Sequence, residues 1–271
     1  MKSEYPSLRW GLSTLGCPEL TLPEAVALAD QYGMEFLELR TISNSSMVFN
    51  TLYLPENAPC ARQLTAAGRC RVLDSAFFLA VQNDSAREEL LKIDRAADDF
   101  KIPYIRIFGR FPASGLSDEL LEICCNNLNW FKNQNFQVQL ALETHDTFCQ
   151  VPKVMELMKC CGPMPVIWDA HHTARFADEA LADSFGMLKE NIIEVHFKDS
   201  HFEGAEKKYV GDIPGQGEMP LYELFTLLEK EKFPHPVIFE YEKFWQPELP
   251  AFTTALEAWH KMVFQKKSER S

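Results

Sequence analysis

Four short apolar runs in the second half of the chain each carry a side chain able to bind a metal ion. Gln137–Glu143 (QVQLALE) ends on Glu143 and runs on into Thr144, His145 and Asp146. Val166–Asp169 (VIWD) ends on Asp169, ahead of Ala170, His171 and His172. Ile192–Lys198 (IIEVHFK) contains His196 and ends on Lys198, ahead of Asp199. Val237–Tyr241 (VIFEY) contains Glu240, ahead of Glu242. Three carboxylates and one imidazole make an oxygen-rich donor set. Such a set suits one hard or borderline divalent ion, with Mn2+, Mg2+ or Co2+ favoured. Zn2+ also fits, although it usually takes more nitrogen or sulfur.

These side chains act together only if the fold brings the four runs side by side. Four more apolar runs precede them: Arg9–Ser13 (RWGLS), Phe36–Arg40 (FLELR), Arg71–Ala76 (RVLDSA) and Tyr104–Phe108 (YIRIF). Helical patterns fill the gaps. TLPEAVALADQYG has a Thr N-cap, Pro near its first turn and Gly33 as a stop. DSAREELLKIDRAADDF and SDELLEICCNNLNWFKNQ place apolar residues at helical spacing, and VPKVMELMKCCG ends in Gly162. Eight strand-then-helix units in about 250 residues is the size and rhythm of a (β/α)8 TIM barrel. We expect one such α/β domain over residues 1–271. The rival is an open doubly wound sheet, which usually shows a Gly-rich phosphate loop after its first strand. Here the first strand runs into STLGCPELT, with one Gly and no GxGxxG.

In a barrel, chemistry sits at the C-terminal ends of the strands. Each candidate alone has an ordinary reading. An acidic residue at a strand end is most often a helix cap or a solvated charge, and Asp169 alone could simply cap the next helix. A lone His in an apolar strand is more often packed and hydrogen-bonded than a ligand. The coincidence of four argues the other way. Unpaired ionisable groups aimed into one mouth repel or are desolvated at large cost, and a divalent cation keeps three carboxylates together. Other residues stay open between two readings. Arg40 and Arg106, in LELR and IRIFGR, either bind substrate oxygens or form rim salt bridges. His145 and His201 lie just beyond the ligand strands, either on substrate or merely exposed. Trp10, Trp168 and Trp245 either wall a sugar pocket or pack normally. GDIPGQGEMP is a Gly-rich loop that could cradle phosphate, but it lacks the Lys and Ser/Thr of a P-loop.

Composition limits the partners. The chain has 271 residues, 46% hydrophobic and 24% charged, which is ordinary globular usage. Its 27 Lys+Arg against 39 Asp+Glu give a net charge of −12. That field repels phosphate backbones and anionic membrane surfaces, so nucleic acid and membrane partners are not expected. MKSEYPSLRWGL has no apolar core of signal-peptide length, and no stretch approaches the roughly 18 apolar residues of a membrane span. The eight cysteines include no CxxC pair, and most lie in apolar segments. Reduced, cytoplasmic residence is the expectation. The basic end KKSER is expected to fray.

The series ALETH, WDAHH, VHFKDS, GQGEMP and FEYEKFW resembles the xylose-isomerase-like barrels. These include sugar and sugar-phosphate isomerases and epimerases, inosose dehydratases, hydroxypyruvate isomerases and enzymes of the endonuclease IV type. LSTLG, ELR and RIFG extend the similarity over nearly the whole chain. The resemblance implies a single metal ion held by Glu143, Asp169, His196 and Glu240. It implies a substrate-binding role for His172, third after the Asp, and for Lys198, two after the strand-seven His. His171 stands where the family usually has a small residue, and spacing favours His172 as the inward one. The implied chemistry is proton transfer through a metal-stabilised enediolate, with Glu143 and Glu240 as base and acid. His172 would steady a developing charge.

Four functions follow in order of expectation. The first is a sugar or sugar-phosphate isomerase or epimerase. The scarcity of phosphate-binding residues tilts this towards an unphosphorylated carbohydrate. The second is a lyase of the inosose-dehydratase kind. An endonuclease-IV-like repair enzyme ranks low, because it needs more His and carboxylate ligands and a basic DNA face. An inactive barrel ranks low because all four ligand positions are intact. Family barrels often pair, so a homo-oligomer is compatible with the resemblance.

Overall fold

The computed structural model describes residues 3–109, 116–205 and 208–264, so the KKSER end lies outside the described residues. The eight expected runs all pair as strands: β1 (Arg9–Ser13), β2 (Phe36–Glu38), β3 (Val72–Leu73), β4 (Tyr104–Ile107), β5 (Gln139–Glu143), β6 (Val166–Asp169), β7 (Ile192–Phe197) and β10 (Pro236–Phe239). Their order is β2-β1-β10-β7-β6-β5-β4-β3, and every neighbouring pair is parallel. A parallel bridge between Leu39 and Leu73 joins the two ends of this order. The sheet is therefore a nearly closed barrel of eight parallel strands with flanking helices, a single (β/α)8 domain. Several strands are shorter than their apolar runs. After Glu38 the amides of Arg40 and Thr41 both turn to the Thr14 hydroxyl, each at 2.9 Å, so the ladder cannot continue.

The helices start and stop for local reasons. Thr21 and Glu24 form a reciprocal capping box at α1 (Leu22–Gln31), with Pro at the first turn. Short α2 (Val48–Thr51) and α3 (Ala58–Ala66) complete the second unit. The Asn83 side chain caps α4 (Asp84–Phe100), and Ser117 caps α5 (Asp118–Lys132). At its end α6 (Val151–Cys161) meets Gly162, whose φ of 86° suits glycine. Then come α7 (Leu181–Leu188), α8 (Leu221–Lys230) and α9 (Phe252–Phe264). Among the described residues no helix is long and apolar enough to cross a membrane.

Between β7 and α8 lies an antiparallel hairpin, β8 (Asp199–Glu203) with β9 (Lys208–Asp212), which the apolar pattern does not announce. Inside the barrel a small apolar layer of Val72, Ala141 and Ile167 sits one step below the chemistry. Ala141 and Glu143, like Ile167 and Asp169, are two apart and share a face. Between strands and helices lies the larger core, where Trp10 meets Trp259 and Phe225 edge-on at 5.5 and 5.0 Å. Trp10 and Trp168 thus pack normally, whereas Trp245 is 62% exposed.

Candidate metal centre and catalytic site

Barrel order sets β5, β6, β7 and β10 next to one another, and register does the rest. Asp169 pairs across with His196, and His196 pairs with Ile238, two residues before Glu240. One donor atom from each of Glu143, Asp169, His196 and Glu240 lies within 4.8 Å of the others. All four side chains are buried. The four residues read from the sequence as a ligand set therefore converge.

Cations hold this set together. Lys198 Nζ lies 3.0 Å from Asp169 Oδ2 and 2.8 Å from Glu242 Oε1, and it also pairs with Glu240 Oε2. Arg40 Nη1 lies 2.7 Å from Glu240 Oε1, and Arg106 Nη1 pairs with Glu143 Oε2. Asp74 bridges the two guanidinium groups, at 3.0 Å from Arg40 and 2.7 Å from Arg106. Both arginines thus form ion pairs, and both also line the cavity wall. Asp169 serves as a cap as well: its Oδ1 accepts the His172 amide at 2.9 Å. Its Oδ2, like both Glu38 oxygens, is buried without a hydrogen bond and has only ion-pair contacts.

The electrostatics sort these groups. Burial pushes the Glu143 carboxyl up, but Arg106 and His196 outweigh it and hold the carboxyl well below its usual range. Burial is likewise overcome at Glu240, where Lys198 and Arg40 hold the carboxyl low. For Asp169 burial prevails over Lys198, with Glu240 and Glu143 adding to it, and the carboxyl is raised to about 6. Burial opposes charge on His196, yet Glu38, Glu143 and Glu194 hold it well above the ordinary value. Burial, with His145 and Lys198 beside it, keeps His172 well below its ordinary value.

A cavity of about 940 Å³ opens above the set. His145 and His172 line it with ring centroids 3.9 Å apart. His171 does not line it; it is fully buried with Nε2 2.6 Å from Ser200 Oγ. Tyr209 from the hairpin and Trp245 from the loop after β10 form the lip. His201 lies on the hairpin with Nδ1 2.6 Å from Asp212. The Gly-rich loop offers its amides inward: Gly215, Gly217 and Met219 donate to the Asp199 carboxylate at 2.7 to 3.1 Å. Those amides serve the fold rather than a phosphate. Sequence reasoning missed Asp74, Glu38 and Glu194. Asp74 lies inside the third run, directly after β3, and Glu38 ends β2 within ELR, so for both the signal was an acidic residue at a strand end once the strands are trimmed to their paired length.

A family model described as "Xylose isomerase-like TIM barrel" matches residues 26–262. The chain belongs to that family. No curated protein matches it. Among solved structures it is similar to the probable 3-DHS dehydratase AsbF of Bacillus anthracis, with 19% identity and a TM-score of 0.71. That match covers 94% of this chain and 98% of the other. A D-psicose 3-epimerase crystallised with D-fructose is 13% identical, with a TM-score of 0.68, over 96% of this chain and all of the other. The IolI protein with a bound zinc atom is 15% identical, with a TM-score of 0.67, over 96% and 100%. At such identities the likeness establishes the shared barrel.

The donor set fits a divalent ion on its own geometry. Seven carboxylates surround it: Glu38, Asp74, Glu143, Asp169, Glu194, Glu240 and Glu242. Four cationic groups face them: Arg40, Arg106, Lys198 and His196. The excess is negative, and Asp169 Oδ2 is buried without a hydrogen bond beside it.

Proposed function

We propose that the chain is a divalent-metal-dependent isomerase or epimerase of an unphosphorylated sugar. The observation that carries this is the convergence of Glu143, Asp169, His196 and Glu240, of which Glu143 and Glu240 line the cavity and Asp169 and His196 are fully buried between them. These four residues would hold Mn2+, Mg2+ or Co2+, or Zn2+. A cation bound there supplies Lewis acidity that polarises a carbonyl and acidifies the neighbouring C–H. Glu143 and Glu240 flank Asp169 and His196 in barrel order, so they approach a substrate from opposite sides. One removes the carbon-bound proton and the other returns one. Return to the opposite face is epimerisation, and transfer between adjacent carbons is aldose–ketose isomerisation. The pairings with Arg106, Arg40 and Lys198 keep both carboxylates ionised but weaken them as bases. Substrate oxygens that draw Lys198, Arg40 and Arg106 away restore their basicity. Neutral His172 orients a hydroxyl and steadies its developing charge.

A lyase of the dehydratase kind is the second reading, and His145 favours it. Burial opposes its charge, but Asp146 at 2.9 Å and Glu143 raise the imidazole above its ordinary value. It lines the cavity and so offers a proton to a departing hydroxyl. Turnover of a panel of ketoses and inososes in D2O, followed by NMR, separates the two. Deuterium at a sugar carbon with the hydroxyl retained supports the first; loss of water supports the second. Calorimetry showing no uptake of micromolar Mn2+ would sink the metal-site reading.

A further inference from the structure

Below the ligand set, carboxylates face the His196 ring at both nitrogens. Nδ1 lies 3.2 Å from Glu143 Oε1, on the cavity side. Nε2 lies 3.2 Å from Glu194 Oε1 and 3.1 Å from Glu38 Oε1. Glu38 ends β2, and Glu194 precedes His196 by two on β7, so strand periodicity turns both side chains to the barrel interior. They are only 2% and 3% exposed, and neither lines the cavity. Two carboxylates buried this deeply are costly unless they satisfy something.

We propose that Glu194, with Glu38 behind it, positions His196 by accepting its Nε2–H, so that the Nδ1 lone pair faces the ligand set. The inference rests on the reading of that set as a metal centre. To ligate, the imidazole must first give up the extra proton that its carboxylates hold; the neutral ring then carries one proton, and Glu143 and Glu194 compete for it. If the proton sits on Nδ1, Glu143 takes it and the ring cannot ligate. If it sits on Nε2, Glu194 takes it and Nδ1 is free. Metal-binding histidines commonly donate their second N–H to a carboxylate, which fixes the tautomer and raises ligand basicity. Glu194 is the principal acceptor because its contact has hydrogen-bond geometry, whereas Glu38 meets the ring at ion-pair distance only and is also 3.7 Å from Arg40.

The test uses the whole chain, wild type against Glu194→Leu and Glu194→Gln. Mn2+ affinity is read by calorimetry, and the His196 tautomer by 15N NMR of histidine-labelled protein loaded with Zn2+. Wild type should bind one Mn2+ and show the Nε2–H tautomer. Glu194→Leu should bind roughly 10- to 100-fold more weakly. Glu194→Gln retains an acceptor, so it should bind within about threefold of wild type, on the scale where 1.4 kcal/mol is tenfold. If wild type takes up no Mn2+, the metal reading itself fails and this inference with it. If wild type binds Mn2+ and Glu194→Leu binds it equally with the same tautomer, only the positioning role is overturned. Equal losses in both variants would assign the effect to charge, and a fall from two ions to one would make Glu194 a ligand; either overturns it. Should Glu194→Leu fail to fold, an Nδ1–H tautomer in Glu194→Gln overturns it alone.

Discussion

Lys198→Met removes a cation shared by three carboxylates and leaves the aliphatic stem in place. Lys198 is 4% exposed at its side chain, and its contacts reach Asp169, Glu240 and Glu242. Removing one partner of a buried pair costs about 3–5 kcal/mol. Glu240 keeps Arg40 and Asp169 keeps the His172 amide, which places the loss near about 3 kcal/mol, the lower end of that range. In a chain of this size each kcal/mol moves the melting temperature by roughly 2–4 °C, so metal-free Lys198→Met should melt about 6–12 °C below wild type. Mn2+ restores positive charge to the same place. Saturation at 1,000 times Kd adds about 4.1 kcal/mol to any folded state that binds it. Loss of repulsion from the ammonium should also tighten the variant's Kd by about tenfold, or about 1.4 kcal/mol. Thermal melts in EDTA and across a Mn2+ series check both. An unchanged metal-free melting temperature would refute the energetic role of the pairs. A Mn2+ shift no larger than that of wild type would refute the idea that ion and ammonium share these carboxylates.

Glu143→Gln and Glu240→Gln should each lower turnover of the accepted sugar by about 10²–10⁴, measured as kcat. Mn2+ affinity should fall as pH falls, by about tenfold per pH unit for each proton that must leave, because His196, held well above its ordinary value, must lose its extra proton and Asp169, raised to about 6, must ionise to ligate. Its raised value also stabilises the metal-free fold at low pH, and that contribution is lost as pH rises through about 6; calorimetry and melts from pH 4.5 to 8 check both. Gly217→Ala should cost about 1–3 kcal/mol, because an added Cβ would clash with Asp199 Oδ1 and meet the Ser200 backbone at 2.7 Å; scanning calorimetry checks it. Trp245→Ala should raise KM with kcat and melting temperature nearly unchanged, since this side chain lies at the exposed lip.

Much of this site was legible because strand ends are where a barrel puts its chemistry. Glu143 and Asp169 end their apolar runs and His196 and Glu240 lie within two residues of the ends of theirs, and period two fixes which face they share. Pairing was not legible. Whether Arg40 meets substrate or Glu240 depends on register between β2 and β10 through β1, and on rotamers that no periodicity encodes. The hairpin β8–β9 was missed because DSHFE and KYVGD carry little apolar alternation. Lys198 and Asp199 show the same limit: adjacent in sequence, they face different tasks, one holding carboxylates and the other gathering four amides of Ser200, Gly215, Gly217 and Met219.

Charge explains why so many cations surround the proposed metal centre. Seven carboxylates in and beneath one barrel mouth, five of them buried, would not stay ionised in the metal-free fold without partners. Arg40, Arg106 and Lys198 supply enough positive charge to fold the set, and His196 adds to it while it is protonated. They do not supply enough to neutralise it. On the proposed metal reading, an ion would compete with the Lys198 contacts and the extra His196 proton, so binding would be an exchange of charge rather than a filling of empty space. The same exchange would free Lys198 to meet a substrate oxygen. Counting His196 as neutral, seven carboxylates against three cations leave this cluster four negative charges, a third of the chain's net −12 and more than one divalent ion would cancel.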